Sequence, residues 1–183
     1  MLVAIAGAGC QSIPKTTQMT ARISQPPAGK ALVNFHRPSN YAGNRPVPIF
    51  DGNGKMLMDQ PGVSLFQHVC NPGEQVFIVW ADHVTVVKAD LAADKIYDIM
   101  VDVGMGWVQP NIVLTPLTKS DPRRARLAEF EMRETRTLTL NPASPRVAQY
   151  EAQNQPRVAE IKADFLSGQK SDRLRFLQKD DCR

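Results

Sequence analysis

The chain has 183 residues and a mass of 20.3 kDa, with 43% hydrophobic and 22% charged residues, which places it near one globular domain and excludes wholesale disorder. No apolar run reaches the roughly eighteen residues of a membrane-spanning helix. The net charge of +4 divides unevenly: residues 1–30 carry three bases and no acid, residues 31–117 five bases and eight acids, and residues 118–183 fourteen bases and ten acids.

The first ten residues form a short apolar run that ends in Gly7-Ala8-Gly9-Cys10. This order is similar to the end of a bacterial lipoprotein signal. There, small residues let a signal peptidase close on the chain, and the cysteine thiol receives a diacylglycerol. Gly7 stands where such signals usually carry Leu, and no base precedes the apolar run. Residues 11–29 are rich in Ser, Thr, Gln and Pro, the composition of a leash that cannot bury a core. The reading is therefore a signal remnant over residues 1–10, lipidation at Cys10 and a flexible linker over 11–29. A lipid anchor on a leash implies a protein held at the membrane without spanning it. Gln11, after the cysteine, points to the periplasmic face of the outer membrane rather than the inner one.

From Ala31 the chain reads as short strands between turn residues. Ala31, Val33 and Phe35 alternate with Leu32, Asn34 and His36, the period of a strand. Val47–Phe50 leads into Asp51-Gly52-Asn53-Gly54, the strongest hairpin signal present, with Lys55–Asp59 as the return strand. Further strands are expected at Val63–Cys70, Gln75–Ala81, Val84–Lys88, Lys95–Val103 and near Val108–Leu114. Strands at this spacing with no helical pattern between them indicate an antiparallel β-sandwich or barrel over residues 30–117.

Several strings within residues 27–117 carry a resemblance: Pro27–Pro38, Asn71-Pro72-Gly73-Glu74, Asp94-Lys95-Ile96-Tyr97, Val103-Gly104-Met105-Gly106 and Leu114-Thr115-Pro116-Leu117. Together they resemble a family of bacterial envelope proteins known only as domain of unknown function twenty-eight forty-six. The resemblance implies a small prealbumin-like β-sandwich. It brings no catalytic residues, because the matching positions are turn residues and strand hydrophobics.

Reactive groups are sparse. With Cys10 lipidated, Cys70 and Cys182 remain, either as a disulfide in an oxidising compartment or as two separate thiols. His36, His68 and His83 are isolated in sequence, and a metal site would need them to meet in space, with Asp82 as a further ligand; none is expected. His68 and Cys70 lie two apart on one strand, so they share a face, the minimal geometry for a thiol nucleophile and its base. Asp98 and Asp102 would lie about 13 Å apart on one strand face, too far for paired acid–base work, and read as a solvent face. Phosphate-loop and dinucleotide motifs are missing from the sequence, so no cofactor is expected.

In the last third, Ser120-Asp121-Pro122 starts a helix over Arg123–Glu134. Its Arg123, Arg124 and Arg126 are followed by Glu129, Glu131 and Glu134, a mixed-charge face and not a basic stripe, so nucleic acid is not an expected partner. Thr135–Leu140 reads as extended or helical. Asn141–Pro145 opens a second helix that Pro156 kinks or splits and Gly168 caps. Residues 118–183 are thus expected as a helical region docked on the sandwich through Phe130, Tyr150, Ile161 and Phe165, aided by the opposite charges of middle and tail. The function expected is a non-catalytic binding or scaffolding module with an envelope protein or glycan as partner. The rivals are a thiol- or metal-dependent enzyme built on Cys70 and His68, and a glycan or small-ligand module exposing Trp80, Trp107 and Tyr97 together.

Overall fold

The computed structural model describes residues 15–107, 110–132, 136–170 and 173–183. In chain order the strands are β1 (Thr17–Met19), β2 (Ala31–Arg37), β3 (Val47–Asp51), β4 (Met56–Gln60), β5 (Ser64–Cys70), β6 (Gly73–Trp80), β7 (Val84–Leu91), β8 (Ile96–Gly104) and β9 (Asn111–Pro116). There follow α1 (Arg123–Met132), β10 (Arg136–Leu140), α2 (Pro145–Leu166) and β11 (Leu174–Leu177). The protein is mainly β: two sheets packed face to face, with the order β1-β10-β5-β2-β8-β9 in one and β11-β7-β6-β3-β4 in the other.

The eight strands β2–β9 alone give β5-β2-β8-β9 against β7-β6-β3-β4, so the expected sandwich is present. Asp51 ends β3 as the sequence requires. Its Oδ1 accepts the N–H groups of Asn53 and Lys55, both at 2.8 Å, while Gly54 takes φ +82°. That left-handed turn residue is what glycine supplies at low cost. The interior between the sheets holds Val33, Phe35, Phe77, Tyr97, Ile99 and Leu114, with the Phe35 and Phe77 rings edge to face at 5.2 Å.

Three differences from the sequence reading matter. First, the sheets are mixed and not purely antiparallel: β2 with β8, β5 with β10 and β7 with β11 run parallel. Strands joined by long connections are free to align this way. Second, the expected helical extension over residues 118–183 is present as α1 and α2 but also carries two strands. β10 adds a strand to the first sheet and β11 one to the second, each beside a strand of the middle region. Third, the described part of the expected linker is built in. β1 pairs with β10, Thr16 and Thr17 are buried, and the Ile23 N–H and C=O both bond the Gln67 side-chain amide.

Helix α2 lies on the outer face of the second sheet, where Val147, Val158, Ile161 and Phe165 meet Phe50, Met56, Ile78 and Val86. It runs unbroken through Pro156, and Gly168 follows its end at φ +84°. Of the four expected docking residues, Phe130, Ile161 and Phe165 are buried, but Tyr150 points to solvent. The period-two pattern of β2 hides that all seven of its residues are buried. Its second face is covered by α1, the strap of residues 20–29 and the last residue, Arg183.

Because β10 is part of the first sheet, Leu138→Ala is expected to cost about 2–5 kcal/mol of global stability in a denaturant titration. A fragment ending at Leu117 should not survive limited proteolysis as a folded species. Recovery of such a fragment with native circular dichroism would show that the tail is dispensable.

Candidate functional site

The outer face of the first sheet carries polar residues where a solvent face is expected. Asn34 and His36 on β2, Gln67 on β5 and Asp98 on β8 are all buried. The register places Asn34 opposite Asp98 and His36 opposite Met100, so one carboxylate faces the middle of this surface. Asp98 Oδ1 accepts hydrogen bonds from Asn34 Nδ2 at 3.1 Å and from Arg183 Nη2 at 2.6 Å, and lies 2.8 Å from His36 Nε2. Its Oδ2 accepts from Arg124 Nη1 at 2.9 Å and Arg183 Nε at 2.8 Å. Glu131 on α1 completes the group, pairing with both Arg183 and Arg22. Burial on its own would raise the Asp98 carboxyl, but the hydrogen bonds from His36 and Arg183 outweigh it and hold the group well below the usual range. Glu131 is held down against burial in the same way by Arg183 and Arg22.

This corrects the reading of Asp98 as a solvent-facing acid; Asp102, partly exposed, accepts from Thr115 Oγ1 at 2.8 Å. The sequence pattern offered no signal for the burial, because the covering elements come from three distant segments. His36, Asp98 and Glu131 bring one ligand atom each within 4.8 Å, the spacing of a metal site. The three arginines already neutralise the two carboxylates, so a cation would enter a group with no negative charge left to balance. The cluster is best described as a clasp: it pins the strap at Arg22, α1 at Glu131 and Arg124, and the last residue at Arg183 onto β2 and β8. The opposite charges of tail and middle meet here, and also at Arg123–Asp102 and Lys179–Asp90.

The expected lipidation residue, Cys10, lies outside the described residues. Cys70 and Cys182 are free thiols. Cys70 sits opposite Ala31 on β2, whereas the residue after Cys182 bonds Ile96 O on β8, so β2 and β8 stand between the sulfurs. Three strand spacings of ~4.8 Å exceed the reach of a disulfide, and the bridge is not formed. Burial pushes the Cys70 thiol up to about 11, against the opposing charge of Lys30. His68 packs on the rings of Phe66 and Phe77, and burial lowers it. It lines a cleft of about 610 Å³ between β4, β5, β10 and α2, but Cys70 and His83 are not among the cleft residues. Among the described residues no hydrogen bond joins His68 to Cys70, and neither His68 nor His83 joins His36 in a cluster of ligand atoms.

The three aromatics expected to share an exposed face do not. Tyr97 is fully buried, its hydroxyl accepting from Ala92 N and donating to Lys179 O. Trp80 is half-buried and stacks on Phe50 at 4.9 Å. Trp107 alone stands free, 98% exposed, with Met105 at 84% in the same β8–β9 connection.

The end of the sandwich that carries this connection also holds the loop between β2 and β3. Fully buried Arg37 organises that loop, its guanidinium donating to the carbonyl oxygens of Tyr41, Ala42, Arg45 and Gln60. Ala42 and Val63 are forced to φ +47° and +48° where Gly62 passes close to Gly43. Positive φ at a β-branched residue is strained, and such strain concentrates where loops are shaped for contact. Beside it lies a groove of about 370 Å³ lined by Pro46, Pro48, Trp80, Val103, Pro110 and Ile112. This loop end, which sequence reasoning resolved only as turns, is the candidate binding surface.

Comparison with known proteins gives no family model that matches, no curated protein and no solved structure. Among the described residues no helix is long and apolar enough to cross a membrane.

Two measurements check these assignments. A carboxylate whose folded pKa is depressed stabilises the fold above its unfolded value of about 3.9 and loses that contribution as pH falls through the folded pKa. Asp98→Asn should therefore cost about 3–5 kcal/mol at pH 7, and the gap to the parent protein should narrow steadily below about pH 4 in chemical denaturation. A gap independent of pH would mean that the carboxylate charge is not what holds the clasp. Separately, Cys70 should resist iodoacetamide at pH 8 in the folded protein and react on unfolding. Peptide mapping without reductant should recover the Cys70 and Cys182 peptides unlinked.

Proposed function

We propose that this chain is a bacterial envelope lipoprotein, akin to the domain-of-unknown-function family that residues 27–117 resemble. A diacylglyceryl group on Cys10 tethers it to the periplasmic face of the outer membrane, and its β-sandwich is a non-catalytic binding or scaffolding module. The observation that carries the binding part is the loop end, where Trp107 and Met105 project into solvent beside a proline-lined groove. Large apolar side chains held out on a polar surface mark contact sites, since leaving them in water forgoes about 1.5–3 kcal/mol each. The arrangement of the reactive groups agrees with a module that does no chemistry. The acid–base pair His36–Asp98 is sealed under α1 and neutralised by arginines, and the Cys70 thiol is held protonated. The strap of residues 20–29, fixed by Arg22 and Gln67, makes a defined exit for the tether instead of a loose one.

In the native host, mature protein should carry a diacylglyceryl mass on Cys10 and partition into the detergent phase, and Cys10→Ser should move it to the soluble periplasmic fraction. An unmodified N-terminus on membrane-free protein would overturn the tether. A photo-reactive residue at position 107 should cross-link to an envelope component that the same residue at Tyr150 does not capture.

A further inference from the structure

The cleft of about 610 Å³ beside His68 exists because two neighbouring strands part. The parallel ladder of β5 with β10 ends at Phe66–Leu138. Beyond it β5 runs on to Cys70 and β10 to Leu140. Among the described residues each is paired there on its far side alone: His68 and Val69 with β2, Thr139 and Leu140 with β1. The cleft opens between the parted edges, and Met56 and Leu57 of β4 and Val147 at the start of α2 complete its walls. Val69 and Leu140 are only half-buried in it, and apolar surface left to water costs ~25 cal/mol per Å².

Polar groups on the walls are few, and their spare capacity differs. Gln67 is spent, its amide committed to Ile23 and Asn34. Lys55 and Glu151 bring one charge of each sign, and Glu151 Oε1 already accepts the Met56 N–H at 3.0 Å. His68 touches the rings of Phe66 and Phe77 and makes no hydrogen bond among the described residues. Burial lowers it, so at neutral pH it is an uncharged ring with one N–H donor and one nitrogen acceptor.

We infer that this cleft binds a single hydrocarbon chain with an uncharged, hydrogen-bonding head, the chemistry of a monoacylglycerol. The inference goes beyond the loop-end reading and uses different residues. The apolar walls take the chain, and the volume falls within the ~300–1,000 Å³ of small-molecule sites. His68 meets a hydroxyl or an ester oxygen of the head. An ionic head gains nothing there. An anion meets Glu151, a cation meets Lys55, and either gives up its water for a neutral ring. The place of the cleft fits the same ligand. Thr16 O accepts the N–H of Asn141, which stands between the cleft residues Leu140 and Pro142. Cys10 lies six residues before Thr16, about 20 Å of extended chain at most. On the tether reading, on which this one point rests, the cleft is held close to a bilayer that supplies acyl chains.

The test uses the full chain with Cys10→Ser, so that no lipid of its own competes, labelled with carbon-13 at methyl groups and histidine rings. The probes are monolaurin, laurate, dodecyltrimethylammonium, glycerol and a capped Ala-Leu-Ala-Leu peptide, all below micelle-forming concentrations. Monolaurin should shift the His68 ring and the Val69 and Leu140 methyl signals while the His83 ring stays fixed. It should bind about tenfold or more tighter than the other four. Ala148→Trp sets a large side chain at the mouth, from an exposed helix position, and should abolish binding. His68→Phe keeps the ring contacts and should weaken monolaurin about three- to tenfold. Both variants should keep the parent melting temperature. The inference is overturned if no probe shifts these signals, if either ionic amphiphile binds as tightly as monolaurin, or if the peptide binds more tightly. It is equally overturned if Ala148→Trp or His68→Phe binds monolaurin like the parent. The mass on Cys10 and cross-linking at position 107 are read separately, so failure here leaves the tether and the loop end standing, and their failure leaves this site standing.

Discussion

Asp98 is the point on which the rest of the molecule is hung. A carboxylate with no exposed surface on the middle of a sheet is expensive to bury unless every oxygen is met by a donor and the charge is balanced. Here four side chains meet it, from β2, α1 and the last residue, and Glu131 relays the contact to the strap through Arg22. The segments that answer the charge are distant in sequence, so satisfying Asp98 obliges the chain to close over the sheet. Two strands of the middle region thereby gain a roof that apolar contacts alone, chiefly Leu117 and Leu127 against Met100, would hold weakly.

The second sheet is covered by a different physical device. Helix α2 contributes an apolar stripe to Phe50, Ile78 and Val86, and β11 follows it to extend the sheet beside β7. One face is thus sealed by charge pairing and the other by hydrophobic burial, and both seals use residues C-terminal to Leu117. With the two faces closed, the loop end still holds Met105 and Trp107 out in solvent beside the proline-lined groove.

The sandwich was legible because its signals are local. The Asp51–Gly54 turn, the continuous apolar run of β6 and the alternation in β2 each depend on residues within one hairpin or one strand. What the sequence hid were long-range relations. Thr137-Leu138-Thr139-Leu140 carries strand alternation, yet nothing in it names β5 as its partner; the polar residues of the strap look like a leash until Gln67 is seen bonding Ile23. Asp98 alternates with apolar neighbours in the manner of any half-exposed strand, and only the arrival of Arg124 and Arg183 from the tail reveals it as buried. Trp107 likewise parts from Trp80 and Tyr97 only in three dimensions, where Trp80 stacks on Phe50 and Tyr97 is buried.

The central claim is that the ionic clasp, more than local propensity, holds the strap and α1 on the first sheet. Hydrogen exchange on Arg183→Met, which keeps the aliphatic stem and removes the guanidinium, tests it most directly. The amides of Ile23 and of α1 should lose protection together by about tenfold or more, while the β6–β7 ladder keeps its own. Unchanged protection across the strap and α1, or a uniform loss through both sheets, would contradict it.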